Sequence, residues 1–96
     1  MKISELKPGM RRVDLQGRIV EIGEVRDVTT RLGEPSRVAT AILEDDSGTI
    51  KLSLWNEAID AVNVNDTVKI ENGYVTSFRG EPQLNVGRYG RINVLK

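Results

Sequence analysis

Only four aromatic residues, Trp55, Tyr74, Phe78 and Tyr89, occur in this 96-residue chain, and two of them stand four apart in GYVTSFRG, residues 73–80. Side chains of an extended strand alternate between two faces, so Tyr74, Thr76 and Phe78 share one face and Val75 and Ser77 the other. The run TIKLSLW (49–55) alternates in the same way, with Ile50, Leu52 and Leu54 on one side and Lys51, Ser53 and Trp55 on the other. Further on, Gln83 and Asn85 oppose Leu84 and Val86. With the aliphatic sets turned inward, the outward set combines flat rings, hydroxyls, amides and cations. Such a surface can stack on π-faces, bond to polar edges and attract anions, which together describe a ligand like a single nucleic-acid strand. The candidate stacking residues are Trp55, Phe78 and Tyr74. Arg31, Arg37, Lys51, Arg79 and Arg88 are the candidate phosphate contacts, and Ser53, Thr76, Gln83 and Asn85 the candidate hydrogen-bonding groups. Tyr89 is assigned to the barrel itself.

Other chemistries find little support. There is no cysteine and no histidine, which removes thiolate chemistry, disulfides and the commonest general base and zinc ligand. EDDSG (44–48) lacks the spaced oxygen ligands of a calcium loop and reads as a turn. Asp60 with Asp66, or Glu21 with Glu24, are carboxylate pairs that nothing places in a cleft. GRYGR (87–91) has glycines but no following helix to cradle a phosphate. No metal or cofactor is implied, and an enzyme is the least supported class. The 14 basic and 14 acidic residues cancel, so the bulk basicity of many nucleic-acid binders is missing. Their distribution is uneven, however: Glu44, Asp45 and Asp46 cluster in one turn while Arg79, Arg88 and Arg91 crowd the last fifth. No apolar run approaches the roughly 20 residues of a membrane span. MKISELKPGM lacks the apolar core of a signal peptide, so an intracellular location is expected.

Elements must hold these residues in place. LKPGM (6–10) is a turn signal. VDLQGRIVEIGEVRDV (13–28) alternates through Val13, Leu15, Gly17 and Ile19, then through Val20 and Ile22, so its phase slips once near residues 19 and 20. That predicts one long curved strand with a bulge. RLGEPS (31–36) is a loop, and RVATAIL (37–43) is apolar on both faces, as a central strand can be. NEAIDAV (56–62) predicts one short helix capped by Asn56. In TVKIENGYVTSFRG (67–80), Val68 and Ile70 set one inward phase, Asn72-Gly73 absorbs a bulge, and Val75 resumes pointing inward in the opposite parity. FRGEPQ (78–83) is a hairpin, Leu84 and Val86 point inward, and RINVLK (91–96) returns to the barrel through Ile92 and Val94. The sequence β-β-β-α-β-β in a chain of single-domain length matches an all-β fold with one short helix, the five-stranded OB-fold Greek-key barrel, over residues 1–96. An SH3-like barrel gives no reason for the helix.

LKPGM, DDSGTIKLSLWNEA (45–58) and VKIENGYVTSFRGEPQLNVGR (68–88), in this order, resemble the simple single-stranded-DNA-binding proteins of archaea and the human sensor-type single-stranded-DNA-binding proteins, relatives of replication protein A. The resemblance implies that Trp55 and Phe78 stack on bases. Tyr74 stands where the archaeal pattern often has a second tryptophan, implying a smaller platform. Asn85 stands where some relatives carry an aromatic residue, implying hydrogen bonding instead of stacking. The acidic-ended tail of many such proteins is missing after Lys96, as expected for one module of a longer subunit or for a compact protein that recruits partners otherwise.

The expected function is therefore non-catalytic binding of single-stranded DNA with little sequence preference, serving replication, repair or recombination. The 31–36 loop and the 79–81 hairpin would close over the strand. Expected partners are single-stranded DNA and other replication-protein-A-like domains or repair proteins. Two alternatives stay open on residues alone: an RNA-binding OB domain, since nothing reads the 2′-hydroxyl, and a protein-interaction module, since exposed rings also mark protein interfaces.

Overall fold

The alternation in TIKLSLW shapes the barrel wall: Ile50, Leu52 and Leu54 are buried whereas Lys51 and Trp55 are exposed. The computed structural model describes residues 1–95, with the side chains of residues 87–89 outside the description, so the readings of Arg88 and Tyr89 lie outside the described residues. The elements in chain order are β1 (Val13–Ile22), β2 (Arg26–Thr29), β3 (Pro35–Asp45), β4 (Gly48–Trp55), α1 (Glu57–Ala61), β5 (Thr67–Phe78) and β6 (Glu81–Leu95). They hydrogen-bond in the order β1-β5-β6-β4-β3-β2, and β1 also pairs with β3. That last pairing closes a ring of five strands, with β2 extending it as a hairpin on β3. Every contact in the ring is antiparallel except that of β4 with β6, which is parallel. This is the OB-fold Greek-key barrel.

Both expected bulges are present. The β1–β3 register shifts between Ile19 and Glu21, and the β5–β6 register shifts between Glu71 and Gly73, where Asn72 takes a φ of 54°. An extra residue reverses the parity of all that follow. Val68 and Ile70 before the slip and Val75 after it are accordingly all buried. They join Leu15, Ile19, Leu43, Leu52, Leu54 and Leu84 in the core, where each such side chain contributes roughly 1.5–3 kcal/mol by leaving water.

Two expectations need correction. The stretch 13–28 is two strands rather than one: residues 23–25 leave the ladder, and β2 resumes against β3 with Arg26 opposite Val38. The track is kept, because the Gly23 N–H donates to the Thr40 carbonyl at 2.8 Å. Asn56 does not cap α1 through its side chain; its Oδ1 instead accepts the Arg37 N–H at 3.0 Å, tying the end of β4 to β3.

The EDDSG turn is held by Asp45. Its Oδ1 accepts from the Ser47 N–H at 2.7 Å and the Ser47 hydroxyl at 2.5 Å, and its Oδ2 from the Ile3 N–H at 2.8 Å. Partial burial acts to raise the Asp45 pKa, but the Ser47 hydroxyl and the Ile3, Ser47 and Gly48 N–H groups outweigh it and hold the carboxylate below its usual range. The same bonds fasten a 3-10 turn, Ile3–Glu5, whose Ile3 is buried with Leu6 in the core. Among the described residues no helix is long and apolar enough to cross a membrane, and no cluster of three or more acidic side chains could hold a metal ion.

Candidate nucleic-acid interface

The outward residues of β4, β6 and β5 line up in rungs. Ser53 is in register with Asn85, and Asn85 with Tyr74; Lys51 is in register with Gln83, and Gln83 with Thr76. With strands about 4.8 Å apart, each rung is roughly 10 Å wide, and successive rungs on one face are roughly 7 Å apart. Trp55 stands one step beyond the first rung on β4. Phe78 stands one step beyond the second on β5. The two rings therefore bracket the polar rungs diagonally, with Tyr74 at the edge of the first. Trp55 and Tyr74 are each 40% exposed and Phe78 is 53% exposed, far too open for rings serving the core. A cleft lined by Arg26, Lys51, Trp55, Phe78 and Gln83 runs between Trp55 and Phe78. A second cleft, lined by Thr30, Ser36, Glu57 and Tyr74, shares Trp55 with it.

The hydrogen-bonding candidates engage one another. Asn85 Nδ2 donates to Thr76 Oγ1 at 3.0 Å and to the Gln83 carbonyl at 3.1 Å, while Gln83 Nε2 donates to Ser53 Oγ. Because a main-chain carbonyl only accepts, the nitrogen of Asn85 must face it and the amide oxygen points away. Ser53 is 6% exposed, covered from above rather than open to a ligand. Alternation placed it on the outer face but could not show Gln83 lying over it.

The cations divide into two groups. Arg37 Nη2 donates to Asp60 Oδ2 at 2.8 Å and to the Asn56 carbonyl at 3.4 Å; the hydrogen bond that Asp60 accepts, and its negative charge, raise the Arg37 pKa. Lys51 Nζ lies 3.4 Å from Glu81 Oε2. Arg31, at the exposed tip of the β2–β3 hairpin, and Arg79 have no ion-pair partner among the described residues. The Arg79 guanidinium lies 5.3 Å from the centre of the Phe78 ring. Arg26, which the sequence reading missed, is likewise without an acidic partner and lines the cleft between Trp55 and Phe78. It falls just after the break in the 13–28 alternation, where no phase points to it. The acidic turn at Asp45 lies at the end of β4 opposite Trp55.

Comparison with known proteins identifies the family of the fold. The family model described as single-stranded DNA binding protein Ssb-like, OB fold, matches residues 6–94. The chain belongs to this Ssb-like OB-fold family. It is 36% identical over 91 residues to the single-stranded DNA binding protein Ssb of Saccharolobus solfataricus, covering 95% of this chain and 61% of that protein. It is 36% identical over 97 residues to replication factor A of Methanothermobacter thermautotrophicus, covering 95% of this chain but 12% of that protein. Among solved structures, an OB domain from Thermoplasma acidophilum superposes with a TM-score of 0.85 at 26% identity, covering 99% of this chain and 85% of that one. The Ssb-like chain thus spans less than two thirds of each of these two curated relatives.

Proposed function

We propose that this Ssb-like OB domain, residues 1–96, binds single-stranded DNA with little sequence preference during DNA replication, with the same grip usable in repair and recombination. The observation that carries the reading is the exposure of Trp55, Tyr74 and Phe78 on one barrel face with polar rungs between them. Every base has a π-face, so stacking on rings tolerates any sequence. The mutual bonding of Asn85, Gln83, Thr76 and Ser53 supports the same conclusion, since amides already engaged leave few groups to read base edges. Arg26, Arg31 and Arg79 meet phosphates. A single OB domain of this kind covers about 4 or 5 nucleotides. Replication factor A among the relatives supports a role as one module among several such domains.

Titration of Trp55 fluorescence with a short oligo-dT at several salt concentrations tests the reading. Quenching is expected, and three neutralised phosphates predict a slope of log affinity against log salt of about −2, at roughly −0.7 per phosphate. An unchanged signal, with no binding by polarisation at low salt, would reject DNA binding and give the face to a protein partner. Tighter binding of a matched RNA oligomer would reject the preference for DNA.

The hairpin between β5 and β6 offers a sharper check. Phe78 pairs with Glu81 across a two-residue turn in which Arg79 has φ 52° and Gly80 φ 80°. Positive φ at both central residues is the type I′ pattern, which favours Asn-Gly over Arg-Gly. A left-handed conformation costs an ordinary side chain roughly 1–2 kcal/mol. Arg79→Asn is therefore expected to raise stability by up to about 1 kcal/mol. It should also weaken oligo-dT binding and flatten the salt slope by about 0.7, one phosphate contact. Stability from urea unfolding and slope from polarisation read the two effects separately; a variant that keeps the wild-type slope would remove Arg79 from the phosphate contacts.

A further inference from the structure

We infer that Glu81 sets the affinity of this face by holding Lys51 away from phosphate in the free protein. The inference rests on the proposed binding of single-stranded DNA. Lys51 is in register with Gln83 and lines the same cleft as Trp55 and Phe78, within reach of a strand laid across the two rings. Its ammonium is nevertheless 3.4 Å from Glu81 Oε2. Glu81 is fixed there by pairing with Phe78 at the base of the hairpin.

The pair differs from Arg37–Asp60. Arg37 is also bonded to the Asn56 carbonyl and its own N–H to Asn56 Oδ1, so its guanidinium is built into the junction of β3 with α1. Among the described residues the Lys51 ammonium is paired with Glu81 alone, and the two side chains are 46% and 66% exposed. An open ion pair of this kind is worth about 1 kcal/mol or less. It is strong enough to compete for a cation, and weak enough for substitution to release it. Glu81 thereby withholds one phosphate contact and favours rapid release of the strand.

A double-mutant cycle with labelled oligo-dT tests this. Glu81→Gln is expected to tighten binding about two- to fivefold at low salt, the equivalent of one exposed ion pair, and to steepen the salt slope by about 0.7. Lys51→Gln alone should change affinity less than about 1.5-fold, because the ammonium is already engaged. In the Glu81→Gln background the same lysine change should remove both the gain in affinity and the added slope. Both positions are exposed, and circular dichroism confirms that the variants fold. If Lys51→Gln weakens binding equally in both backgrounds, or if Glu81→Gln leaves affinity and slope unchanged, the inference is overturned while DNA binding stands. If the wild-type protein binds no oligonucleotide at low salt, both fall together.

Discussion

Trp55→Ala is expected to weaken oligo-dT binding by about 1–3 kcal/mol, the range for losing one base-stacking platform. Phe78→Ala is expected to do nearly the same. Both rings are only partly exposed, so urea unfolding of each variant is measured beside binding to separate lost packing from lost stacking. Trp55 and Phe78 sit at opposite ends of the polar rungs, and side chains further apart than about 7–10 Å with no shared partner behave additively. The double variant is thus expected to lose close to the sum. Polarisation of a labelled oligonucleotide is the suitable readout, because the Trp55 signal vanishes with the residue. Wild-type affinity in both single variants would remove base stacking from the mechanism.

Gly17→Val is expected to destabilise the fold by at least about 1–3 kcal/mol, the usual cost of overpacking. A Cβ at Gly17 would lie 2.8 Å from the Glu44 carbonyl oxygen and 3.0 Å from Leu43 Cγ and Cδ1. The nearest obstacle is backbone, which cannot swing aside as a side-chain tip can. The substitution falls on the seam where β1 meets β3, next to the Arg18–Glu44 and Ile19–Leu43 pairs that close the ring. For a domain of this size each kcal/mol lowers the melting temperature by about 4–8 °C. The stacking rings and the polar rungs belong to β4, β5 and β6, away from this seam, so the folded fraction should keep its base stacking. An unchanged urea midpoint would show that β1 and β3 can separate at no cost.

Parity carried most of what could be read from the residues. Three short alternating runs and one bulge at Asn72-Gly73 placed Trp55, Tyr74, Thr76 and Phe78 outward, because a strand offers a side chain only two directions. The limits of that reasoning show at particular residues. Ser53 is on the outer face yet covered, since Gln83 comes from a strand far along the chain and only the β4–β6 register brings them together. Lys51 and Arg37 look like free cations in one dimension, but Glu81 and Asp60 meet them in three. Arg26 was missed where residues 23–25 interrupt the alternation, and the 3-10 turn at Ile3 has too few residues to show a period. Asn56 has the right type to cap a helix and a better offer from the Arg37 N–H. Local pattern thus decides faces, while partners across the sheet decide which charges remain available.

The parallel pairing of β4 with β6 has a kinetic corollary. The rungs join residues 51–53 to 83–85 across the helix and all of β5, so no hairpin or shorter fragment contains the complete face. Barrels dominated by such distant contacts fold in milliseconds to seconds, because loop closure must precede the contacts that reward it. A strand of DNA laid from Trp55 to Phe78 would therefore recognise only molecules whose last ring contact has formed, and by mass action it would stabilise those alone. Occupancy of the face would then be a measure of completed folding, since a nascent chain that has yet to make β6 lacks the strand that sets Trp55 and Phe78 on one face.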